Sequence, residues 1–316
     1  MPLPDDQQAV EVAKDLISTL KGAFGTPPGY RPAHAKGVLL TGTFTPSSTA
    51  SSLSSAYHLN NVTPVTARFS SSTGIPTIPD TDANADPRGF AVRFHYPEKN
   101  GRRVHTDIVS HSVDKFPTRT GAEFLEFLQA VGASQGAPEP TPVQKFLGSH
   151  PETLDFVQAP KPPPASFAEE PFFGVTAFKL INGDKETFVR YRIVPTAGVH
   201  QLSADEVSSK GPNYLIEEIH ERVANGPVTF KLNAQVAEAG DTTDNNTVHW
   251  PESRQVVELG EIKLDKVEPD DKQAAEQKNI IFDPIPRVEG LAPSADPLLD
   301  VRAALYLISG KERRAA

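Results

Sequence analysis

With 316 residues the chain has room for one large or two ordinary domains of roughly 100–200 residues each, and a net charge of −9 with a pI near 5.5 argues against nucleic acid or an anionic membrane as partner. There is no cysteine, which excludes disulfides, thiolate metal sites and a cysteine nucleophile. The opening Met1-Pro2-Leu3-Pro4-Asp5-Asp6-Gln7 lacks the basic and apolar runs of a secretory signal and no stretch approaches the ~18 apolar residues of a membrane span, so the expectation is a soluble cytoplasmic protein.

Residues 8–23 carry Val10, Val12, Ala13, Ile17 and Leu20 at helical spacing, which predicts an amphipathic first helix closed at Gly25. Strand signals follow at Val38–Phe44, Thr63–Ser70, Gly89–Tyr96 and Val104–Val109; in the third, Phe90, Val92, Phe94 and Tyr96 alternate with Ala91, Arg93 and His95. Thr120 can cap a helix carrying Glu123, Phe124, Phe127, Leu128 and Val131. Pro138 to Pro164 is proline-rich, and Pro162-Pro163-Pro164 is too stiff and too poor in donors for a strand or helix interior. Gly174–Ile181 and Thr187–Val194 read as a hairpin around Asn182-Gly183-Asp184. Leu215–Val223 reads as a helix, Val228–Val236 as a two-faced strand, Val256–Leu264 as another strand and Asp271–Lys278 as a short polar helix. So many antiparallel strands with helical insertions predict an α+β chain built on a closed or nearly closed barrel, which protects its edges by closure.

A final helix carries Arg302 and Tyr306, four residues apart and therefore on one face, so the guanidinium can reach the phenolic oxygen and stabilise negative charge there. A phenolate is a hard anionic ligand suited to ferric iron. His105, Asp107 and His111 offer another reading, a mononuclear iron or zinc site on one strand. There is no dinucleotide fingerprint, Walker loop or nucleophile elbow.

Several strings together carry a resemblance. Arg31-Pro32-Ala33-His34-Ala35-Lys36-Gly37, Arg68-Phe69-Ser70, Asp86-Pro87-Arg88-Gly89-Phe90-Ala91-Val92-Arg93-Phe94, Phe282-Asp283-Pro284 and Ser294-Ala295-Asp296-Pro297-Leu298-Leu299 lead into the Arg302/Tyr306 segment. In type and order they resemble the haem catalases, and most closely the minimal catalases or catalase-related peroxidases. The resemblance implies a single domain over residues 1–316: an N-terminal helix and arm (1–29), an eight-stranded antiparallel barrel with helical insertions (30–264) and a C-terminal segment with the proximal haem helix (265–316). It implies haem b as cofactor, with Tyr306 as iron ligand and Arg302 beside it. His34 would be the distal histidine, Ser70 its hydrogen-bonding partner, and Arg31, Arg68 and Arg313 the groups that bind the haem propionates. Phe116 would pack over the haem face. His111 falls where catalases have their distal asparagine; an imidazole there can titrate near neutral pH, with the unperturbed value about 6.5.

The function so implied is reduction of hydrogen peroxide or an organic hydroperoxide through a ferryl haem, with an organic electron donor and weak catalase activity beside it. The alternatives are a fatty-acid hydroperoxide isomerase or dehydratase of the allene oxide synthase type, and a non-catalytic haem-binding protein. A monomer or homodimer is expected.

Overall fold

The computed structural model describes residues 2–316. Ten strands, β1 (Gly37–Pro46), β2 (Thr63–Ser70), β3 (Gly89–Lys99), β4 (Arg102–His111), β5 (Phe172–Phe173), β6 (Phe178–Asn182), β7 (Lys185–Pro195), β8 (Val228–Val236), β9 (Val256–Val267) and β10 (Leu291–Pro293), form one antiparallel sheet. Its order is β10-β6-β7-β5-β4-β3-β2-β1-β9-β8, and the further pairing of β7 with β8 closes it into an eight-stranded barrel, with β6 and β10 as a flap on β7. The helices are α1 (Gln7–Phe24), α2 (Ala50–Leu53), α3 (Gly121–Ala133), α4 (Pro142–Ser149), α5 (Pro151–Gln158), α6 (Ala204–Ser208), α7 (Tyr214–Asn225), α8 (Asp270–Asn279) and α9 (Leu298–Ala315). None is long and apolar enough to cross a membrane.

The alternation read in β3 holds. Phe90, Val92 and Phe94 are buried in the barrel while His95 is exposed. The interior is packed solid around Phe69, which stacks on Phe90 at 4.5 Å and on Phe167 at 5.0 Å between ring centroids, with Phe230 5.0 Å from Phe90. Each such ring contributes about 1.5–3 kcal/mol by leaving water. Side chains thus fill the barrel around Phe69.

The wall is covered on one side by three helices. Ala9, Val10, Ala13 and Leu16 of α1 pack on Val301 and Ala304 of α9, with Phe124, Leu125 and Leu128 of α3 against the same cluster. Asp6 caps α1 at its start and Gly25 ends it. Thr120 forms a full capping box with Glu123 at the start of α3, an arrangement whose cap alone is worth about 1 kcal/mol.

The proline-rich segment holds two helices, α4 and α5, and Pro162-Pro163-Pro164 lies outside both. Pro142 and Pro151 stand in their first turns, where a missing N–H breaks no helical bond, so proline there starts helices rather than ending them. The first arm of the hairpin is shorter than expected and the second longer. β6 begins only at Phe178, and Gly183, at φ +58°, takes the first place of a two-residue loop between Asn182 and Lys185. The last barrel strand runs to Val267, beyond residue 264, because Val267 still pairs with Leu40 of β1.

Candidate active site

Between the barrel wall and the helices lies a cavity of about 450 Å³, within the usual range of ligand pockets. All nine residues singled out above line it: Arg31, His34, Arg68, Ser70, His111, Phe116, Arg302, Tyr306 and Arg313. They come from five parts of the chain. The end of β2 presents Arg68 and Ser70, the end of β4 presents His111, and α9 presents Arg302, Tyr306 and Arg313 from one side of the helix.

On α9, Arg302 donates to the Tyr306 phenolic oxygen from Nε at 3.3 Å and from Nη2 at 3.2 Å, as the i, i+4 spacing requires. Opposite them, His34 Nδ1 lies 3.0 Å from Ser70 Oγ. His34 has φ +56°, a left-handed conformation rare for a residue with a Cβ. It is held there because its own N–H and that of Ala35 donate to the carbonyls of Ser72 and Thr73. Such strain persists where surrounding structure over-determines it, commonly at functional sites. Gly89 of β3 passes directly beneath the pair. A Cβ at that position would come 2.6 Å from Ser70 Oγ and 2.8 Å from His34 Nδ1, so only glycine lets the imidazole and hydroxyl meet. The Asp-Pro-Arg-Gly-Phe string contained this residue, but nothing in a linear reading linked it to residue 34.

The surface that His34 and His111 keep faces the cavity rather than bulk water. Burial, with the nearby charges of Arg68 and others, pushes His34 down to about 3; burial, with Arg302, pushes His111 down to about 4. Both are neutral imidazoles at neutral pH. The expectation that His111 titrates near 6.5 is therefore corrected: the site is too dry for an imidazolium. His111 Nδ1 accepts from the Val113 N–H at 3.3 Å, which leaves the proton on Nε2.

A third buried histidine, His58, bonds through Nδ1 to Tyr96 Oη at 2.7 Å and is pushed down to about 3 by burial. All three imidazoles protonate near 6.5 in the unfolded chain and only below about 4 in the folded one. Their stabilising effect is complete above pH 6.5 and is lost as pH falls toward the folded values. Over the intervening range unfolding takes up about three protons, so the histidine part of stability should fall by up to about 4 kcal/mol per pH unit. Denaturant titrations between pH 7 and 5, with imidazole protonation in the folded protein followed by NMR, check this. Asp86 and Glu170, pushed up by burial to about 6 and about 8, act in the opposite sense on the total slope, and imidazolium signals from the fold at pH 5 would show the histidine part to be absent.

Arg31, Arg68 and Arg313 cluster at the C-terminal end of α8. Arg313 donates to the carbonyls of Lys278 (2.9 Å) and Ile280 (2.8 Å), Arg31 to that of Ile280 (3.0 Å), and Arg68 to Gln277 Oε1 (2.9 Å) and the Ala35 carbonyl (3.1 Å). Every one of these partners is a neutral oxygen. Burial and mutual repulsion push Arg68 down to about 9 and Arg31 well below its ordinary value, while burial and Arg314 push Arg313 down to about 10. Three cations without a carboxylate, beside a cavity, are chemically incomplete; the cluster calls for an anion. A planar porphyrin with two carboxylate arms suits it, since arginine forks bind carboxylates in two-pronged fashion. Phe116, packed on Phe124 at 5.2 Å, and Leu16, Leu20 and Phe24 of α1 add apolar walls.

The alternative set His105, Asp107 and His111 is not brought together. The Asp107 carboxylate is taken by Arg93 at 2.8 and 2.7 Å and by the Asp283 N–H at 2.6 Å, while His111 turns into the cavity. Among the described residues no group of three or more His, Asp or Glu is placed to hold a metal.

Known proteins resemble this chain along most of its length. The family profile described as Catalase matches residues 29–315. A catalase-related peroxidase of Mycolicibacterium paratuberculosis is 33% identical over 302 residues, covering 94% of this chain and 93% of that one. One of Synechococcus elongatus is 32% identical over 304 residues, covering 94% and 87%. A solved bacterial catalase superposes with a TM-score of 0.78 over 99% of this chain and 62% of its own, at 22% identity, which bears on the fold alone.

Proposed function

Because the chain belongs to the catalase family, we propose that it is a peroxidase which reduces hydrogen peroxide or an organic hydroperoxide at a haem b, using an organic electron donor. The observation that carries this reading is the joining of three uncompensated arginines and an Arg302-bound Tyr306 in one cavity with the His34–Ser70 pair. Tyr306 would hold the iron through its phenolic oxygen, and Arg302 would keep negative charge on that oxygen. Arg31, Arg68 and Arg313 would hold the propionates, and Phe116 would cover a face. When bound, ferric haem supplies the electrons that break the O–O bond and recovers them from the donor.

The chain's own residues do the proton work. With Nδ1–H donating to Ser70 Oγ, His34 has a free lone pair on Nε2. That nitrogen takes the proton from the inner peroxide oxygen and returns it to the outer one, which then departs as water or alcohol. Its depressed proton affinity keeps the base free over the whole neutral range. His111, protonated on Nε2, donates a hydrogen bond to the peroxide. An imidazole is bulkier than an amide and orients a second peroxide less well, whereas an organic donor needs no such orientation, which favours peroxidatic over catalatic turnover.

Replacement of Tyr306 by phenylalanine tests the ligand. The haem-loaded variant should show altered Soret and charge-transfer bands; an unchanged resting spectrum would remove Tyr306 from the iron. Incubation with a lipid hydroperoxide and no donor separates peroxidase from isomerase, because only the isomerase turns over repeatedly.

A further inference from the structure

Two of the arginines assigned to the propionates are aimed by one peptide group. Arg31 and Arg313 both donate to the Ile280 carbonyl, at 3.0 and 2.8 Å. Ile280 begins a strap, residues 280–283, that follows α8 and lies outside every helix and strand. Ile280, Ile281 and Phe282 all line the cavity, and the first two are only half-buried, so the strap is a thin wall between cavity and solvent. Its peptide groups have no ladder to join and must find partners on other elements.

An ion pair on the barrel wall supplies them. Arg93 of β3 and Asp107 of β4 stand directly opposite each other in the strand register, and Arg93 donates to the wholly buried carboxylate from Nε at 2.8 Å and from Nη2 at 2.7 Å. The same carboxylate accepts from the Asp283 N–H at 2.6 Å. The same guanidinium donates to the Ile281 carbonyl and lies over the Phe282 ring, 5.4 Å from its centroid. A buried ion pair adds little stability over apolar packing of equal volume; what this pair adds is the location of the strap. From the opposite side α9 presents Gly310, where a Cβ would come 2.3 Å from Ile281 Cδ1.

Resting on the haem peroxidase reading, we propose that Asp107 is a positioning residue for the arginines that hold the propionates. With Arg93 it fixes the strap, the strap fixes the Ile280 carbonyl, and that carbonyl aims the forks of Arg31 and Arg313. A guanidinium fork binds a carboxylate best in one planar, two-pronged geometry, so a displaced carbonyl turns the fork out of it. β4 also ends at His111, which lines the cavity. One strand therefore presents a group to the peroxide and, four residues earlier, sets where the propionate edge of the cofactor comes to rest.

The test compares release to an acceptor protein of haem and of haem dimethyl ester, whose propionates are capped and uncharged. Asp107→Asn keeps the side-chain shape and should speed release of haem by about 10- to 100-fold, the usual cost of losing a group that orients ligand-holding residues. Release of the ester should stay near the wild-type rate, whereas a merely structural role would speed both alike. Resonance Raman spectra give a second readout: the propionate bending bands, which follow hydrogen bonding to the carboxylates, should shift in the variant, and they decide the matter if the ester does not bind. Should Asp107→Asn fail to fold, Gly310→Ala takes its place, because it pushes Ile281 from the α9 side while alanine suits a helix better than glycine. The same pattern is expected. A wild type that binds no haem would overturn the haem reading and this role with it. A haem-binding wild type whose variant releases both forms equally faster, or haem no faster, or keeps its propionate bands unchanged, would overturn the positioning role alone.

Discussion

With His34 replaced by alanine, the haem-loaded protein should react with hydrogen peroxide about 10²–10⁴-fold more slowly while keeping its haem. The size follows from the lack of a substitute. Ser70 Oγ is too weak a base, and His111 has its Nδ1 occupied by the Val113 N–H and its proton on Nε2, so it can donate to peroxide but not accept from it. Haem retention should survive because the side chain of His34 bonds to Ser70 and makes no hydrogen bond to the Arg302–Tyr306 pair or to the arginine cluster. Stopped-flow mixing with peroxide gives the rate, and the resting spectrum gives the occupancy. A variant that reacts at nearly the wild-type rate would transfer the proton work to another group.

The arginine cluster should show effects of opposite sign in the two states of the protein. Arg31 makes a single bond, to the Ile280 carbonyl, and that carbonyl still accepts from Arg313 when Arg31 is gone. Arg31→Met should therefore leave no orphaned acceptor and relieve the repulsion with Arg68 and Arg313, so the haem-free variant should resist denaturant better than haem-free wild type. The loaded variant loses one charge-assisted bond to a propionate, worth about 1.5–3 kcal/mol, and should release haem about 10- to 100-fold faster. Transfer of haem to an acceptor protein measures the release. If both states were destabilised alike, the cluster would be a cap for the end of α8 and nothing more.

The amphipathic α1, the β1–β4 meander, the α3 cap and the i, i+4 pair on α9 were legible because each depends on residues within one or two turns or on strict alternation, and local sterics and solvent partition decide such features. The two helices in the proline-rich segment were not legible for a related reason. Proline forbids a helix interior but favours its first turn, and composition does not say which place it occupies.

By itself, the sequence determined which groups could do chemistry and in what order they occur, since His34, Ser70, Arg302 and Tyr306 stand in strings whose meaning is local. Only the tertiary structure decided their states. That His34 and His111 are neutral depends on burial beneath three helices, one from each end of the chain and one from its middle. That Gly89 must be glycine depends on the approach of β3 to residues 34 and 70. Proton affinity and close approach are set by the dielectric and the neighbours that folding assembles, and these lie tens to hundreds of residues away along the chain.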